Sequence, residues 1–543
     1  MSIEIVHPIA PEVKAVDQVS IHKQNGTGTK LISKPEWQGW KKLLFRIAFV
    51  FFVFMSLPTG TEWYRTLFSI DWLNLHYRDL YDLARFSSGF NFVGTRLFGS
   101  SLNGYANWII TFFVAIALGI IWSLIDRKRK EYDDLYYWLR VIVRYRAGIG
   151  IIGFGFTKLL PVQMPYPSEG LLKTDFGDFT AQKIYWLSIG IVPWYQVFAG
   201  IVEVAAGAML FFRKTTFLGA ALLLGALGDI VYVNFAYDGG VHVYSSYFVL
   251  LAAFLMIKDV PALYRLLIKE KYTVPQNYYP SLSKPWQRFA RYGLKAATFM
   301  IFLFGLFYLQ YTNFRYDPYK QPSMKGVTKL RGYYNVTEFR LNNKVIPYSP
   351  LDTVRWQEAT FEKWSTLTFK VNKPVQLDLS NGGGSPMRDI NRTFELTGTA
   401  GGRRVFYYDV DTVNGLLYLQ DKNTASQGRR RVTEGNSVTG GDKEPKKVYT
   451  KEDWIPSPSL AIIGGEDKRI AETARSKRRT EGIKKESKES INRPKMILQY
   501  STTDGSRVIL SGINENKDSI YVVLDKYNKK HVLPQSTLVA GSY

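Results

Sequence analysis

Five ionisable residues lie inside long apolar segments between residues 140 and 267. They are Arg144, Arg146, Lys158, Glu203 and Asp229. These segments reach the length of about 20 apolar residues that a helix needs to cross a hydrocarbon core of about 30 Å. A charged group at membrane depth costs several kcal/mol unless it is paired or hydrated. We therefore expect these residues to mark the functional part of a membrane protein.

A polar cluster is predicted at the outer end of these segments. Counted at about 1.5 Å per residue, Lys158 lies level with Asp229 and Asn234 and close to the loop that holds Asp238 and His242. Such a cluster is suited to binding the carbonyl or hydroxyl head of a quinone, or to moving a proton with Lys158 as the catalytic group. Two alternatives stay open: Lys158 reaches only to lipid headgroups, and Asp238 forms only a turn.

Two further predictions concern residues deeper in the apolar segments. Arg146 and Glu203 have a similar depth when each is counted from the inner end of its segment, which predicts a structural ion pair between antiparallel helices. Trp194 and Tyr195 follow Pro193, which predicts a kinked helix and an aromatic pair lining a cavity for an apolar ring. Ordinary packing explains the aromatic pair equally well.

The composition excludes several classes of chemistry. The 543 residues include no cysteine, which rules out disulfides, thiolate catalysis and cysteine-ligated metals. Only five histidines are present and no ligand spacing is found, so no metal site is predicted. No covalently bound cofactor is expected either. The net charge of +24 has a large share in residues 428–495, outside any nucleic-acid-binding motif, and favours a membrane surface over nucleic acid as partner.

The first part of the chain predicts an all-α membrane bundle of about seven transmembrane helices. The predicted spans are 43–57, 105–125, 138–160, 185–212, a fifth that follows Arg213 and Lys214 and ends near Ala236, 243–263 and 296–311. Lys- and Arg-rich loops, such as residues 127–130, fall on one side, which predicts a cytoplasmic N-terminus in a bacterial inner membrane. The predicted divisions are a tail at 1–40, two spans with a loop at 41–137, a four-helix core at 138–267 and a last span with its approach at 268–317.

The second part of the chain changes to an alternating pattern typical of strands. Residues 318–423 and 494–543 predict an all-β barrel or sandwich, which the topology places in the periplasm, where binding of a periplasmic or membrane protein partner is its expected role. Strands are predicted in YYNVTEFRL, KVIPY, STLTFKV, PVQLDLS, RTFELTGT, RRVFYYDV, GLLYLQD, MILQYST, RVILSGI and SIYVVLD. Residues 424–493 predict a basic, largely disordered insertion with one helix in KRIAETARSKRRTEGIKK.

The four-helix core resembles the DoxX-like family of small bacterial membrane proteins over residues 146–261. The patterns that carry the resemblance are GFGFTKLLP (153–161), FAGIVEVAAGAMLFFRKTTFLGA (198–220), VYVNFAYD (231–238) and SSYFVLLAAFLMIKD (245–259). Lys158, Glu203, Arg213, Asn234 and Asp238 fall at polar positions of that family. The resemblance implies a four-helix bundle. It also implies a quinone or redox setting, because such proteins are associated with thiosulfate:quinone oxidoreductase and envelope redox homeostasis.

A shorter resemblance concerns the same lysine. GFTKL at 155–159 is similar to the segment of vitamin K-dependent carboxylases whose lysine acts as base on a hydroquinone. Three hypotheses follow. The first is a redox-associated module that binds a quinone or similar lipid headgroup and couples to a periplasmic partner. The second is a non-catalytic structural or assembly subunit of an envelope complex. The third is a carboxylase-like membrane enzyme with Lys158 as base.

Overall fold

The protein consists of a helical part followed by a β-barrel. The structure is a computed structural model that describes residues 36–75, 77–86, 89, 103–273, 277–318, 320–380, 382, 388–424, 454–469 and 493–533. Most of the predicted N-terminal tail lies outside these residues.

The helices of the helical part are numbered in chain order. They are α1 (Gly39–Ser56), α2 (Thr61–Ser69), α3 (Tyr77–Ala84), α4 (Asn103–Ile125), α5 (Asp133–Leu159), α6 (Glu169–Leu172), α7 (Ala181–Gly190), α8 (Pro193–Leu210), α9 (Thr216–Ala236), α10 (His242–Ile257), α11 (Val260–Leu263), α12 (Pro285–Thr298) and α13 (Leu306–Tyr316). A π-helical segment, Phe299–Gly305, joins α12 to α13, and another, Tyr264–Ile268, extends α11.

The number of helices suited to a membrane is smaller than predicted. Within the described residues, 104–125, 216–236 and 285–316 are long and apolar enough to cross a membrane, and the count reaches five if each of two bent helix pairs is one span. This indicates a membrane protein. The two other predicted spans, α1 and α5, each contain several basic residues.

Two predicted single spans are bent pairs of helices. The fourth predicted span divides into α7 and α8, which meet at 91°, and the sixth divides between α10 and α11, where the bend is 62°. Pro193 is the first residue of α8, a position where the missing N–H of proline leaves no helical hydrogen bond unmade. The kink predicted at Pro193 is thus a complete break that turns α7 across the end of the bundle.

Helices α5 and α8 pack through glycines. A Cβ atom on Gly200 would lie 2.2 Å from the Leu159 nitrogen, and one on Gly207 would lie 3.1 Å from the Gly148 oxygen. Only glycine allows so close an approach of two backbones. The ring of Phe211, the residue after α8, lies 5.4 Å from the ring of Tyr145. The end of α8 therefore lies beside Tyr145, and the first three turns of α5 extend past it.

The second part is a closed antiparallel barrel of eight strands rather than a sandwich. The strands are β1 (Gly332–Leu341), β2 (Lys344–Val345), β3 (Glu358–Phe361), β4 (Thr366–Lys370), β5 (Arg403–Asp411), β6 (Leu416–Asp421), β7 (Lys495–Ser501), β8 (Arg507–Ile513) and β9 (Ser519–Tyr527). Neighbours in the ring are consecutive from β3 to β9, while β1 pairs with both β3 and β9 and closes the ring. Strand β2 pairs with β1 and lies outside the ring. Apolar side chains from alternate positions, including Tyr334, Phe361 and Phe406, fill the interior.

Two of the predicted strands are wrong and one strand was missed. Residues 374–380 and 392–399 are loops and turns, while β3 was not predicted. Phe394 does not face the barrel interior but packs against Trp186 of α7. The apolar residues of this segment thus serve the contact between barrel and helices, which an alternating pattern does not distinguish from a strand.

Part of the predicted insertion packs on the barrel. Residues 457–463 form α14 (Ser457–Ile463) and 466–469 form α15 (Glu466–Arg469). Ile455 and Ile463 contact Tyr418, whose hydroxyl lies 2.8 Å from the Ser459 hydroxyl. The rest of the insertion, including most of its predicted helix, lies outside the described residues.

The barrel part contacts α7, the residue after α13 and the segment between α5 and α7. This end of the helical part is called here the barrel-side end. Asp317, which follows α13, pairs with the fully buried Arg392 at 2.6 Å. The backbone N–H of Thr180, the residue before α7, donates to the Gly398 oxygen at 2.9 Å. The loop between α5 and α7 is therefore fixed between the two parts.

Candidate functional site

A buried ion pair joins the last turn of α5 to the middle of α8. The Lys158 ammonium contacts Glu203 Oε1, and the two residues are 9% and 2% exposed. Glu203 Oε2 is also buried and has no hydrogen-bond partner among the described residues. A buried carboxylate oxygen without a donor is unusual, so this pair retains an unused acceptor.

The glycine contacts of α5 and α8 explain why Lys158 is the partner of Glu203. A Cβ on Gly155 would lie 3.2 Å from Glu203 Cβ, and Lys158 follows Gly155 by one turn. Arg146 lies nine residues earlier, about 13 Å along the helix. The predicted pairing of Arg146 with Glu203 is wrong. It requires the start of α5 and the end of α8 to lie at the same depth, whereas α5 extends past the end of α8.

Arg146 has a different set of partners. Its guanidinium donates to the Tyr247 hydroxyl at 3.0 Å, the Ala84 oxygen at 2.8 Å and the Phe86 oxygen at 3.2 Å. The guanidinium carbon lies 3.8 Å from the centre of the Phe86 ring. Arg146 therefore holds the end of α3 against α5 and α10.

Helix α7 packs on the turn between α9 and α10 at the barrel-side end. The Gln182 amide donates to the Gly239 oxygen at 3.2 Å, and the rings of Tyr185 and Tyr237 lie 5.3 Å apart. Tyr185 lies near enough to Glu203 and Asp229 to interact electrostatically with both carboxylates.

Three predicted ligand residues shape the turn between α9 and α10. The Asn234 amide donates to the Ile230 oxygen at 2.7 Å and accepts from the Val241 N–H at 3.4 Å. Asp238 has a positive φ of 50°, as the turn alternative requires. The His242 ring stacks on Phe235 with centroids 4.3 Å apart. Among the described residues, no hydrogen bond joins any of the three to Lys158.

The remaining predicted ligand residues lie on the surface. Trp194 and Tyr195 are 62% and 54% exposed on α8, so neither lines an enclosed cavity. Asp229 is exposed on α9. The chain bends by 91° just before α8, and the sequence does not indicate the direction of that bend.

Sequence reasoning missed a glutamine that supports the site. Gln196 is fully buried, accepts from the Met164 N–H at 3.1 Å and donates to the Met164 oxygen at 3.1 Å. It fixes the loop that follows Lys158 to α8. Its position in an apolar segment was a visible signal, but its partner is a loop backbone that no sequence pattern identifies.

The described residues hold no group of three or more histidines and carboxylates suited to a metal ion. Comparison with protein-family models, curated proteins and solved structures gives no match for this chain. The resemblance to DoxX-like proteins therefore depends on the quoted residue patterns alone.

Proposed function

We propose that this chain is a membrane protein that binds the polar head of an apolar-tailed molecule, such as a quinone, beside Lys158 and Glu203. The observation that carries the proposal is the unused, buried Oε2 of Glu203 next to a buried ammonium. Buried polar atoms are normally hydrogen-bonded, so an acceptor of this kind favours a ligand or water that completes it.

The pair is suited to both forms of a quinone. The Lys158 ammonium is able to donate to a carbonyl oxygen, and Glu203 Oε2 is able to accept from a hydroxyl. The chain has no cysteine for thiol redox chemistry, so electrons would be supplied by a bound cofactor or by a partner protein. The chain would therefore act as a binding module of a redox system.

The loop after Lys158 offers a connection from the site to the barrel. Gln196 fixes Met164 of this loop to α8, and Glu362 of the barrel accepts from the N–H groups of Glu169 and Gly170 at 3.0 and 2.8 Å. A headgroup that shifts the end of α5 would act on the barrel through these contacts. On this proposal the barrel faces the periplasm and contacts the partner.

Mass spectrometry of lipids extracted from the purified protein tests this function. Wild type should retain a quinone or similar lipid in near-stoichiometric amount, and Lys158→Ala and Glu203→Gln should each reduce it at least about tenfold. Arg65→Ala, a change on the exposed face of α2, is the matched control and should retain the molecule. Wild type without a specific lipid, or variants that retain it fully, would refute the proposal.

A structural subunit is the second candidate, and the ion pair itself favours it because the pair joins the last turn of α5 to the middle of α8. Retention of no lipid together with loss of a stable complex partner in the same variants would support it. A carboxylase-like role fits less well. An ammonium in an ion pair has no lone pair, so Lys158 would first have to transfer a proton before acting as a base.

A further inference from the structure

Helix α9 carries a stripe of exposed residues that begins at Leu218 and reaches Tyr232. Leu218, Gly225, Asp229 and Tyr232 are exposed, and they follow one another at spacings of seven, four and three residues. These spacings place them on one stripe of a helix, opposite the buried stripe that contains Leu223. The exposed stripe has the spacing of a seam between two packed helices.

A carboxylate lies within this stripe. Asp229 is seven residues before Ala236, which places it about 10 Å below the barrel-side end of α9. It forms no hydrogen bond or ion pair with any residue that the structure describes. Helix α9 is one of the three helices suited to crossing a membrane, and a carboxylate at that depth is costly without a partner.

The backbone of α9 is open beside this carboxylate. A Cβ atom on Gly225 or Gly228 would have no atom within 4 Å. By contrast, the space beside Gly155 of α5 and Gly200 of α8 is occupied by atoms of the neighbouring helix. Small residues at a membrane-facing stripe allow a second helix to approach closely.

We propose that this face of α9 binds a transmembrane helix of another protein, and that a Lys or Arg of that helix pairs with Asp229. The stripe from Leu218 to Tyr232 is about 21 Å long, which matches a helix that crosses the bilayer rather than a headgroup at its surface. A second copy of this chain fits poorly, because a two-fold contact would bring the two Asp229 carboxylates together. The proposal does not depend on the function assigned to Lys158.

The test is photo-crosslinking in native membranes from a photoreactive amino acid placed at position 232. The same amino acid at position 113 on α4, where Phe113 is 64% exposed, is the matched control. We expect a discrete protein adduct from position 232 alone. Its crosslinked peptide should be an apolar segment with a Lys or Arg within about one helical turn of the attachment point.

Two variants examine charge and shape separately. Asp229→Asn should reduce the adduct at least fivefold, and Asp229→Glu should restore it. Gly225→Leu should abolish the adduct without unfolding the protein, because the added side chain enters open space. Lipid adducts alone at position 232, an adduct to this chain itself, or a protein adduct that ignores Asp229→Asn would each overturn the proposal.

Discussion

Buried charges in the helical part are compensated in two different ways. Lys158 and Glu203 compensate each other, whereas Arg146 donates to two backbone oxygens and a tyrosine hydroxyl. A backbone oxygen is available wherever a helix ends, so Arg146 needs no carboxylate. Lys158 and Glu203 depend on each other, and the removal of either leaves an uncompensated charge.

The ion pair predicts strongly non-additive variants. Lys158→Met and Glu203→Leu should each lower the free energy of unfolding by about 3 kcal/mol, because each leaves a buried charge without its partner. The double variant should recover to within about 1 kcal/mol of wild type, since no charge remains. Denaturant unfolding in mild detergent measures all four proteins.

The exposed pair of Arg65 and Glu62 on α2 is the control for this cycle. Their side chains are 75% and 57% exposed, so the corresponding coupling energy should stay below about 0.5 kcal/mol. Additive losses for Lys158→Met and Glu203→Leu would show that the two side chains do not interact in the folded protein.

The positions of these charges were predictable from the sequence, but their partners were not. Lys158 and Glu203 are visible as charges in apolar segments. Their pairing depends on how far α5 extends past α8, which is determined by contacts such as Gly200 against Leu159. A shift of two to three turns between two helices changes no residue pattern.

Among the elements, the short helix α6 makes a central contact with the barrel. The Glu362 carboxylate, 1% exposed, accepts from the N–H groups of Glu169 and Gly170. Burial, with the nearby charges of Glu395 and Glu169, raises the pKa of Glu362 to about 7, although the Gly170 N–H and Arg403 act in the opposite direction. This carboxyl group therefore titrates near neutral pH.

The raised pKa of Glu362 predicts that stability falls as the pH rises. An unfolded chain releases the Glu362 proton near pH 4.5, whereas the folded protein holds it until about pH 7. The contribution of this group is thus complete below pH 4.5 and is lost as the pH rises through 7, with a total on the order of 3 kcal/mol. Thermal unfolding of wild type and Glu362→Gln across pH 5–8 measures the difference.

Glu338→Gln, at a half-buried position of β1, is the control for this titration. The stability of wild type relative to Glu362→Gln should decrease steadily between pH 5 and 7 and level off above it. A difference between the two proteins that stays constant with pH would contradict the titration of Glu362.

Strands and helices are predicted correctly where one hydrophobic period extends over a whole segment. In β1 and β4 to β9, alternate side chains face the barrel interior, and the two-residue period of apolar residues in the sequence predicts these strands. The segment 392–399 failed because Phe394 packs against Trp186 of a helix far away in sequence. Apolar residues that pack between the two parts of the protein can have the alternating pattern of a strand although they belong to no sheet.

At the scale of the whole molecule, the direction of each helix defines two opposite ends. The barrel adjoins the C-terminal end of α13 and the segment that follows α5, while the loops before α5 and between α8 and α9 lie at the other end. Those far loops are basic, with Lys128 and Lys214 exposed. Basic loops are retained in the cytoplasm, which predicts that the barrel lies across the membrane from them.

The absence of native cysteine makes this arrangement directly testable. A membrane-impermeant maleimide should label Val413→Cys, in the exposed turn between β5 and β6, in intact spheroplasts. It should label Lys128→Cys and Lys214→Cys only after detergent is added, because both loops would face the cytoplasm. Since the two lysines belong to different loops, their agreement tests the helix directions as well as the side. Labelling of all three in intact spheroplasts would show that these helices do not cross the membrane, and the reversed pattern would place the barrel in the cytoplasm.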